Sequence, residues 1–389
     1  MTEYVRSELV RLWLRRLLVL TVKELQQFSR DVILVVFMFY AFGAAVYISG
    51  TGITADLRNA KLLTHDADRS SASRDLLYRF RAPYFIRSGE VAEPQEGISR
   101  LDRGEAMMVL DIPEQFADAL NQAVDIASPQ LMVDTSNVTM GYLASAYSDR
   151  IAGTFAEEWS RRALTMRGLD MRTLPAIENQ SRIWYNPNMN GHWFNAIAEW
   201  LTMVTVVAVL LPASALVREK ERGTIEQLLV SPVTPLQIML SKTISMTLVI
   251  LLGTAVSVYA IMQPLIGVPF RGSAPLFFAL TAVYVFSTAG LGLATATFAR
   301  NAPQVGLLTI LMVAPMSVLS GTWTAPEAMP VWGQYAVNIS PLHHFIECSY
   351  GILLRCAGLD VLWDSALAMA VLGAALFALG LARFRRQFG

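Results

Sequence analysis

The sequence predicts a polytopic α-helical membrane protein: six transmembrane helices, an N-terminal amphipathic helix and an extracytoplasmic α/β domain. Three observations carry that expectation. The 389-residue chain is 54% apolar and only 16% charged, where soluble domains carry roughly 25% charged residues. Six stretches are long and apolar enough to cross a hydrocarbon core, which takes about 20 helical residues. One interval, 56–192, is of a different material, with 15 basic and 19 acidic residues among alternating polar and apolar runs.

Residues 1–31 read as a helical leader. Leu9, Trp13, Leu17 and Leu20 fall on one helical face with Arg11 and Arg15 opposite. Arg16 and Lys23 interrupt the stripe and have to snorkel. A helix along the membrane surface fits this pattern. The first span lies in 32–55; its charged leader is too long for the n-region of a cleaved signal peptide.

Within 56–192, Lys61–Asp66, Glu105–Ile112 and Gln130–Asp134 read as strands. Ser71–Arg81, Pro113–Ala123 and Thr139–Leu164 read as helices. Asp66, Asp68, Ser71 and Ser73 lack the glycine and closing glutamate of a calcium loop, so they read as turn and cap residues. Residues 193–389 carry the other spans, near 200–217, 244–261, 275–298, 305–319 and 365–381.

Charge sets the expected orientation. With both termini cytoplasmic, the inner segments hold 14 basic and 7 acidic residues, while the short outer segments hold only Arg271 and Arg355 against four carboxylates. The overall formal charge is zero, which gives no global attraction for nucleic acid. Cys348 and Cys356 are the only cysteines, too few for a disulfide framework. None of the four lysines sits in a phosphate-binding loop. Adjacent His343 and His344 cannot face one point from a helix, so no metal site is expected.

Two segments outside the spans stand out. Arg218, Glu219, Lys220, Glu221 and Arg222 form the densest charge cluster, followed by Gly223 and Thr224. Gly223 suits a helix exit and Thr224 a cap on a short second helix with Ile225, Leu228 and Leu229 on its apolar side. A bare charge run is usually a solvated loop; a capped amphipathic helix between two spans also suits docking of a partner. The second segment, 320–350, is broken by prolines and rich in aromatics, as in short re-entrant or interfacial helices.

These two segments resemble those of ABC-2-type transporter permeases, in the multidrug-export subgroup with a large domain between spans 1 and 2. The first carrier is the run from Arg218 to Pro235; the second is Leu319–Pro330 with Ser340–Phe345. The resemblance extends over nearly the whole chain. It implies a coupling helix over 218–230, with contact to an ABC ATPase at Arg218, Glu219, Glu221, Gly223, Thr224, Glu226 and Leu229. It implies an outer motif at Ser320, Gly321, Pro326, Met329, Pro330 and Pro341. The leader becomes a connecting helix beside the ATPase. This chain would bind no cofactor, leaving ATP and magnesium to the separate ATPase. Further partners would be a second permease subunit, identical or homologous, membrane lipid and a periplasmic adaptor.

The expected role is the permease subunit of an exporter in a bacterial inner membrane, for drug-like, lipid-like or other envelope-directed substrates. Thr202, Thr205, Met312 and Met316 are candidates to line the path, against the bland reading of helix packing. Glu199 either faces that path or snorkels to water. A membrane-anchored sensor or scaffold is the alternative, although six spans exceed what an anchor needs. An ion-coupled transporter would want ionisable groups near the midplane, of which the spans have almost none, and a membrane enzyme a catalytic constellation, of which none is visible at recognisable spacing.

Overall fold

The structure is a computed structural model and describes residues 2–52, 57–122, 128–136, 138–166, 190–224, 232–321, 326 and 329–388. It divides into two compact units: Met1–Ile53 with Ile183–Gly389, and Thr54–Arg182.

The first unit is helical. Helix α1 spans Thr2–Ser29 and α2 Val32–Gly52, the latter opened by Asp31, whose carboxylate accepts the Leu34 N–H at 3.2 Å. A π-turn occupies Tyr40–Ala44 within α2. The charge-free run that starts at Val32 makes α2 a span by composition.

The remaining helices of this unit, which follow the four of the inserted unit in the chain, are α7 (Gly191–Glu221), α8 (Pro235–Ile266), α9 (Ala274–Phe298), α10 (Ala302–Val318), α11 (Val331–Asn338), α12 (Pro341–Arg355) and α13 (Leu359–Phe388). Side-chain caps explain the starts. Asn190 accepts from His192 N at the head of α7, and Asn301 from Gln304 N at the head of α10. At α8, Thr234 and Gln237 form a reciprocal capping box with Pro235 in the first turn.

Among the described residues, α2, α7, α8, α9 and α13 are long and apolar enough to cross a membrane. Helix α10, expected as the fifth of six spans, is apolar but only 17 residues long, with Pro315 inside it. That is the lower end of what a bilayer requires. The second span is longer than its apolar run. Helix α7 begins nine residues before Trp200 and continues through the charged cluster to Glu221, so Arg218–Glu221 are its last turn and not the start of a separate helix.

Helix α7 is the most enclosed of the spans. Trp200 is fully buried, with its ring 5.2 Å from Phe277 and 5.5 Å from Phe345. Tyr284 stacks on Phe345 at 4.0 Å and shares a 2.7 Å hydrogen bond with Thr205. Glycines let α9 sit against its neighbours backbone to backbone. A Cβ at Gly290 would lie 2.7 Å from Phe377 Cα of α13, and one at Gly292 would collide with the Val209 carbonyl of α7. Small residues at crossings are the main way spans gain close packing where lipid removes the hydrophobic drive between them.

The α10–α13 connection carries α11 and α12. Helix α11 turns Val331, Trp332 and Tyr335 outward and buries Gly333 and Val337, an amphipathic face with interfacial aromatics. Both cysteines are free thiols, Cys348 buried and Cys356 exposed.

The second unit holds a four-stranded sheet in the order β2-β1-β3-β4. Its elements are β1 (Ala60–Asp66), α3 (Ser71–Arg79), β2 (Phe85–Glu90), α4 (Pro94–Asp102), β3 (Met108–Ile112), α5 (Phe116–Gln122), β4 (Gln130–Val133) and α6 (Val138–Met166). Strands β2, β1 and β3 run parallel, and β4 is antiparallel to β3. Leu62 and Leu63 are both buried, on opposite faces of β1. Helices therefore cover both sides, as parallel sheets require. Sequence patterning misses β2 and α4. Strand β2 lies at the edge and buries only Phe85, so it shows no alternation to read. Asp66 accepts the Ser73 hydroxyl at 2.8 Å, Ser70 caps Ser73 N, and Asp68 accepts Ala117 N at 3.2 Å; these are turn and cap roles.

The helix crossing yields a direct test. Replacing Gly292 by leucine should lower the thermal midpoint of the detergent-purified protein, at a cost of about 1–3 kcal/mol for overpacking. Leucine at Gly306, where nothing lies within 4 Å of a Cβ, should leave the midpoint unchanged.

Candidate functional site

Four consecutive charges at the end of α7 each hold a different part of the helical unit. Arg218 pairs with Asp31, the cap of α2. Glu219 faces Lys242 of α8, the ammonium 2.9 Å from Oε2, and Lys23 of α1 at 3.4 Å from Oε1. The Lys242 contact lies off the axis of a hydrogen bond, so the attraction there is ionic. Lys220 donates to Ala296 O at 2.6 Å and to Ala299 O at 3.4 Å, neutralising the carbonyl end of α9. Glu221 accepts the Ala302 N–H at 2.9 Å, at the positive end of α10.

Glu24, on α1, completes the cluster: Lys242 donates to its Oε1 at 2.7 Å. Lys242, Glu24 and Glu219 side chains are 1%, 5% and 7% exposed. Two carboxylates and two ammonium groups thus balance, with Lys242, Glu24 and Glu219 buried and Lys23, at 39% exposure, at the rim. Desolvating such charges costs several kcal/mol per ion, which only their mutual attraction offsets. The cluster therefore fixes α1, α7 and α8 at one point and tolerates no missing member.

Helix α1 runs alongside α8. Gln237 Nε2 donates to Trp13 O at 3.1 Å, and Arg16 donates to Pro232 O at 2.5 Å. Trp13, Leu17 and Leu20 are half-buried, and Thr21, Glu24 and Phe28 are buried. The stripe expected to face the membrane thus turns toward protein and extends through a carboxylate. Leu9, at 62% exposure, drops out of it, while Leu14 and Leu18 form a second, outward apolar face. Lys23 and Arg16 do not snorkel; they reach Glu219 and the Pro232 carbonyl.

Arg222 ends α7, Gly223 takes a left-handed φ of 65°, and Thr224 donates to Glu219 O at 3.3 Å. Glu226 and Leu229 of the expected coupling helix, with Ile225 and Leu228, lie outside the described residues, as do Thr322, Trp323 and Glu327.

The described residues of the outer motif lie just beyond the end of α10 and at the starts of α11 and α12. Ser320 donates to Ser317 O at 2.7 Å while its own carbonyl meets His343 Nδ1 at 3.1 Å. Gly321 has φ 93°, Met329 N donates to Pro326 O at 3.1 Å, and Pro330 caps α11. Pro341 is buried in the first turn of α12. His344 turns instead to Asn338 O, and among the described residues no group of His, Cys, Asp and Glu could hold a metal ion.

The path candidates do not gather. Thr205 is buried and bonded to Tyr284 of α9; Met312 Sδ accepts from Thr295 of α9 at 3.2 Å. Both sides of this pairing face α9. Thr202 donates to Ala198 O within its own helix, Met316 packs on the main core, and Glu199 is half-buried on α7.

Residues 32–382 match the family model described as ABC-2 family transporter protein. The chain belongs to this family. The permease is 32% identical to the inner membrane transport permease YhhJ of Escherichia coli, over 97% of this chain and 98% of that protein. It is 29% identical to the probable multidrug ABC transporter permease YbhR of the same species, over 96% and 99%. To ABC transporter G family member 20 of Dictyostelium discoideum it is 23% identical, over 68% of this chain and 36% of that protein. The permease is thus a multi-pass membrane component of a transport system, from a family that works as permease dimers with an ABC ATPase.

Sequence reasoning found the cluster at 218–221 but missed its partners. Lys242 was the available signal: a lone lysine between Ser241 and Thr243 in an otherwise charge-free α8 needs a carboxylate. Lys242→Met should destabilise the permease by about 3–5 kcal/mol, because Glu24 and Glu219 then share a dry site with only Lys23. Adding Glu24→Gln should recover much of the loss, read as the thermal midpoint; a double variant no more stable than Lys242→Met would count against the cluster.

Proposed function

We propose that this permease is the membrane subunit of an ATP-binding cassette exporter in a bacterial inner membrane. Two such subunits, identical or homologous, enclose the path. A separate ATPase binds ATP and magnesium and supplies the force, and both termini of the permease are cytoplasmic. The substrate is a drug-like, lipid-like or other envelope-directed molecule, and the inserted α/β unit lies outside, available to a periplasmic adaptor.

One observation carries the mechanism: a single helical turn, Arg218–Glu221, bonds to the cap of α2, to α1 and α8, to the end of α9 and to the start of α10. A partner that pushes on residues 218–224 moves those five elements together. Packed helices transmit displacement because close-packed interiors do not deform continuously. Closure of the ATPases would in this way tilt the spans and open the path. The basic excess on the segments joined at this end supports a cytoplasmic placement. The printed names of the Escherichia coli relatives, a transport permease and a probable multidrug permease, support the export reading.

Co-expression with the candidate ATPase, co-purification from membranes and an ATP hydrolysis assay test it. Reversing charge at Glu221 and Glu226 together should weaken co-purification about tenfold, the effect of ~1.4 kcal/mol, and uncouple hydrolysis from export. Glu221→Gln is the control, since its amide oxygen still accepts the Ala302 N–H while the charge is gone. Wild-type yield of complex and unchanged export in the double reversal would remove the coupling claim.

A further inference from the structure

Where α1 gives way to α2, the helical unit opens into a cavity of about 860 Å³, lined by Arg30, Asp31, Val32 and Ile33 on one side and by Arg218, Glu219 and Arg222 on the other. Among the described residues its carboxylates are already matched. Asp31 pairs with Arg218, and Glu219 with Lys242 and Lys23. Arg30 and Arg222 are exposed, and among the described residues neither guanidinium has an ion pair or a side-chain hydrogen bond. Among the described residues the cavity therefore carries two surplus positive charges, one at each wall.

Its other property is apolar. Val32 and Ile33, at 72% and 81% exposure, begin the first membrane-spanning helix, so the basic cavity adjoins the edge of the hydrocarbon layer. A soluble anion would use the two arginines and leave that apolar shelf bare. A molecule with a phosphate at one end and acyl chains at the other uses both.

We propose that this cavity binds the headgroup of an anionic phospholipid, with Arg30 and Arg222 on the phosphate and the acyl chains against Val32 and Ile33. A guanidinium fork matches phosphate oxygens two at a time, and basic pockets between membrane helices hold acidic headgroups. The two arginines stand on opposite sides of the α1–α7 joint, so the lipid bridges the leader and the second span beside the buried ion cluster. The site rests on this chain alone, whichever ATPase drives it.

The test uses the full-length permease, purified in a neutral detergent without ATPase, so that failure of the coupling mechanism and failure of this site are read separately. The probes are phosphatidylglycerol, phosphatidylcholine and inorganic phosphate, titrated against the thermal midpoint. Phosphatidylglycerol should raise the midpoint and the other two should not. Removing each arginine should weaken phosphatidylglycerol about fivefold, and Arg30→Gln with Arg222→Gln about 30-fold. Arg385→Gln with Arg386→Gln, an equal loss of charge at the end of α13, should bind as wild type. If the double glutamine variant does not fold, Arg30→Lys with Arg222→Lys keeps the charge, loses the fork and should bind with intermediate affinity. Equal protection by phosphatidylcholine would make the site one for any lipid, and equal protection by inorganic phosphate one for a soluble anion; either overturns the proposal. So would unchanged phosphatidylglycerol affinity in the glutamine variant or, where that variant does not fold, in the lysine variant.

Discussion

A lysine with 1% of its side chain exposed can stay charged only if the chain brings carboxylates to it. Lys242 receives two, Glu24 from the leader and Glu219 from the second span, and this demand fixes how three helices meet. Buried charge is poor material for raising stability, since a well-packed apolar core serves as well or better. It is good material for defining one arrangement, because a shifted helix strands an unpaired ion. In a membrane protein that distinction has more weight. The lipid offers no hydrophobic drive between spans, so an ionic lock and close glycine crossings do the work of alignment.

The rest of the helical unit follows from where that lock sits. It lies in the last turn of α7, the most enclosed span, whose far half is held by Trp200 between Phe277 and Phe345. Helix α7 is therefore anchored by aromatic packing along its length and by charge at its end. The neighbouring residues Lys220 and Glu221 extend the same logic to helix dipoles, a cation on the carbonyl end of α9 and a carboxylate on the amide end of α10. A stretch that composition marks only as mixed charge is an ordered set of four attachments, and each sign is the one its partner requires.

The inserted unit solves a different problem. Its sheet is covered on both faces, so its strands had to be apolar on both sides where they are central and could be polar where they are not. Leu62 and Leu63 at the centre and the almost wholly exposed β2 at the edge are the two ends of that range. Strands β1, β3 and β4 could be anticipated within a few residues at their bounds, while β2 and the helix after it could not.

The class of protein, five of the long helices, the separate character of 56–192 and the residues that mark the family are legible in the amino-acid order, because these depend on composition and on runs long enough to average over local detail. So is the charged turn at 218–221. Whom those charges meet is a matter of packing. Glu24 is 195 positions from Glu219 and 218 from Lys242; no periodicity links residues so far apart, and only the packing of α1 along α8 brings them within hydrogen-bonding distance. The same packing turned the leader's stripe from membrane toward protein and assigned Thr205 and Met312 to α9. Burial and ion pairing are properties of neighbours in space, and a one-dimensional pattern records only which residues need one.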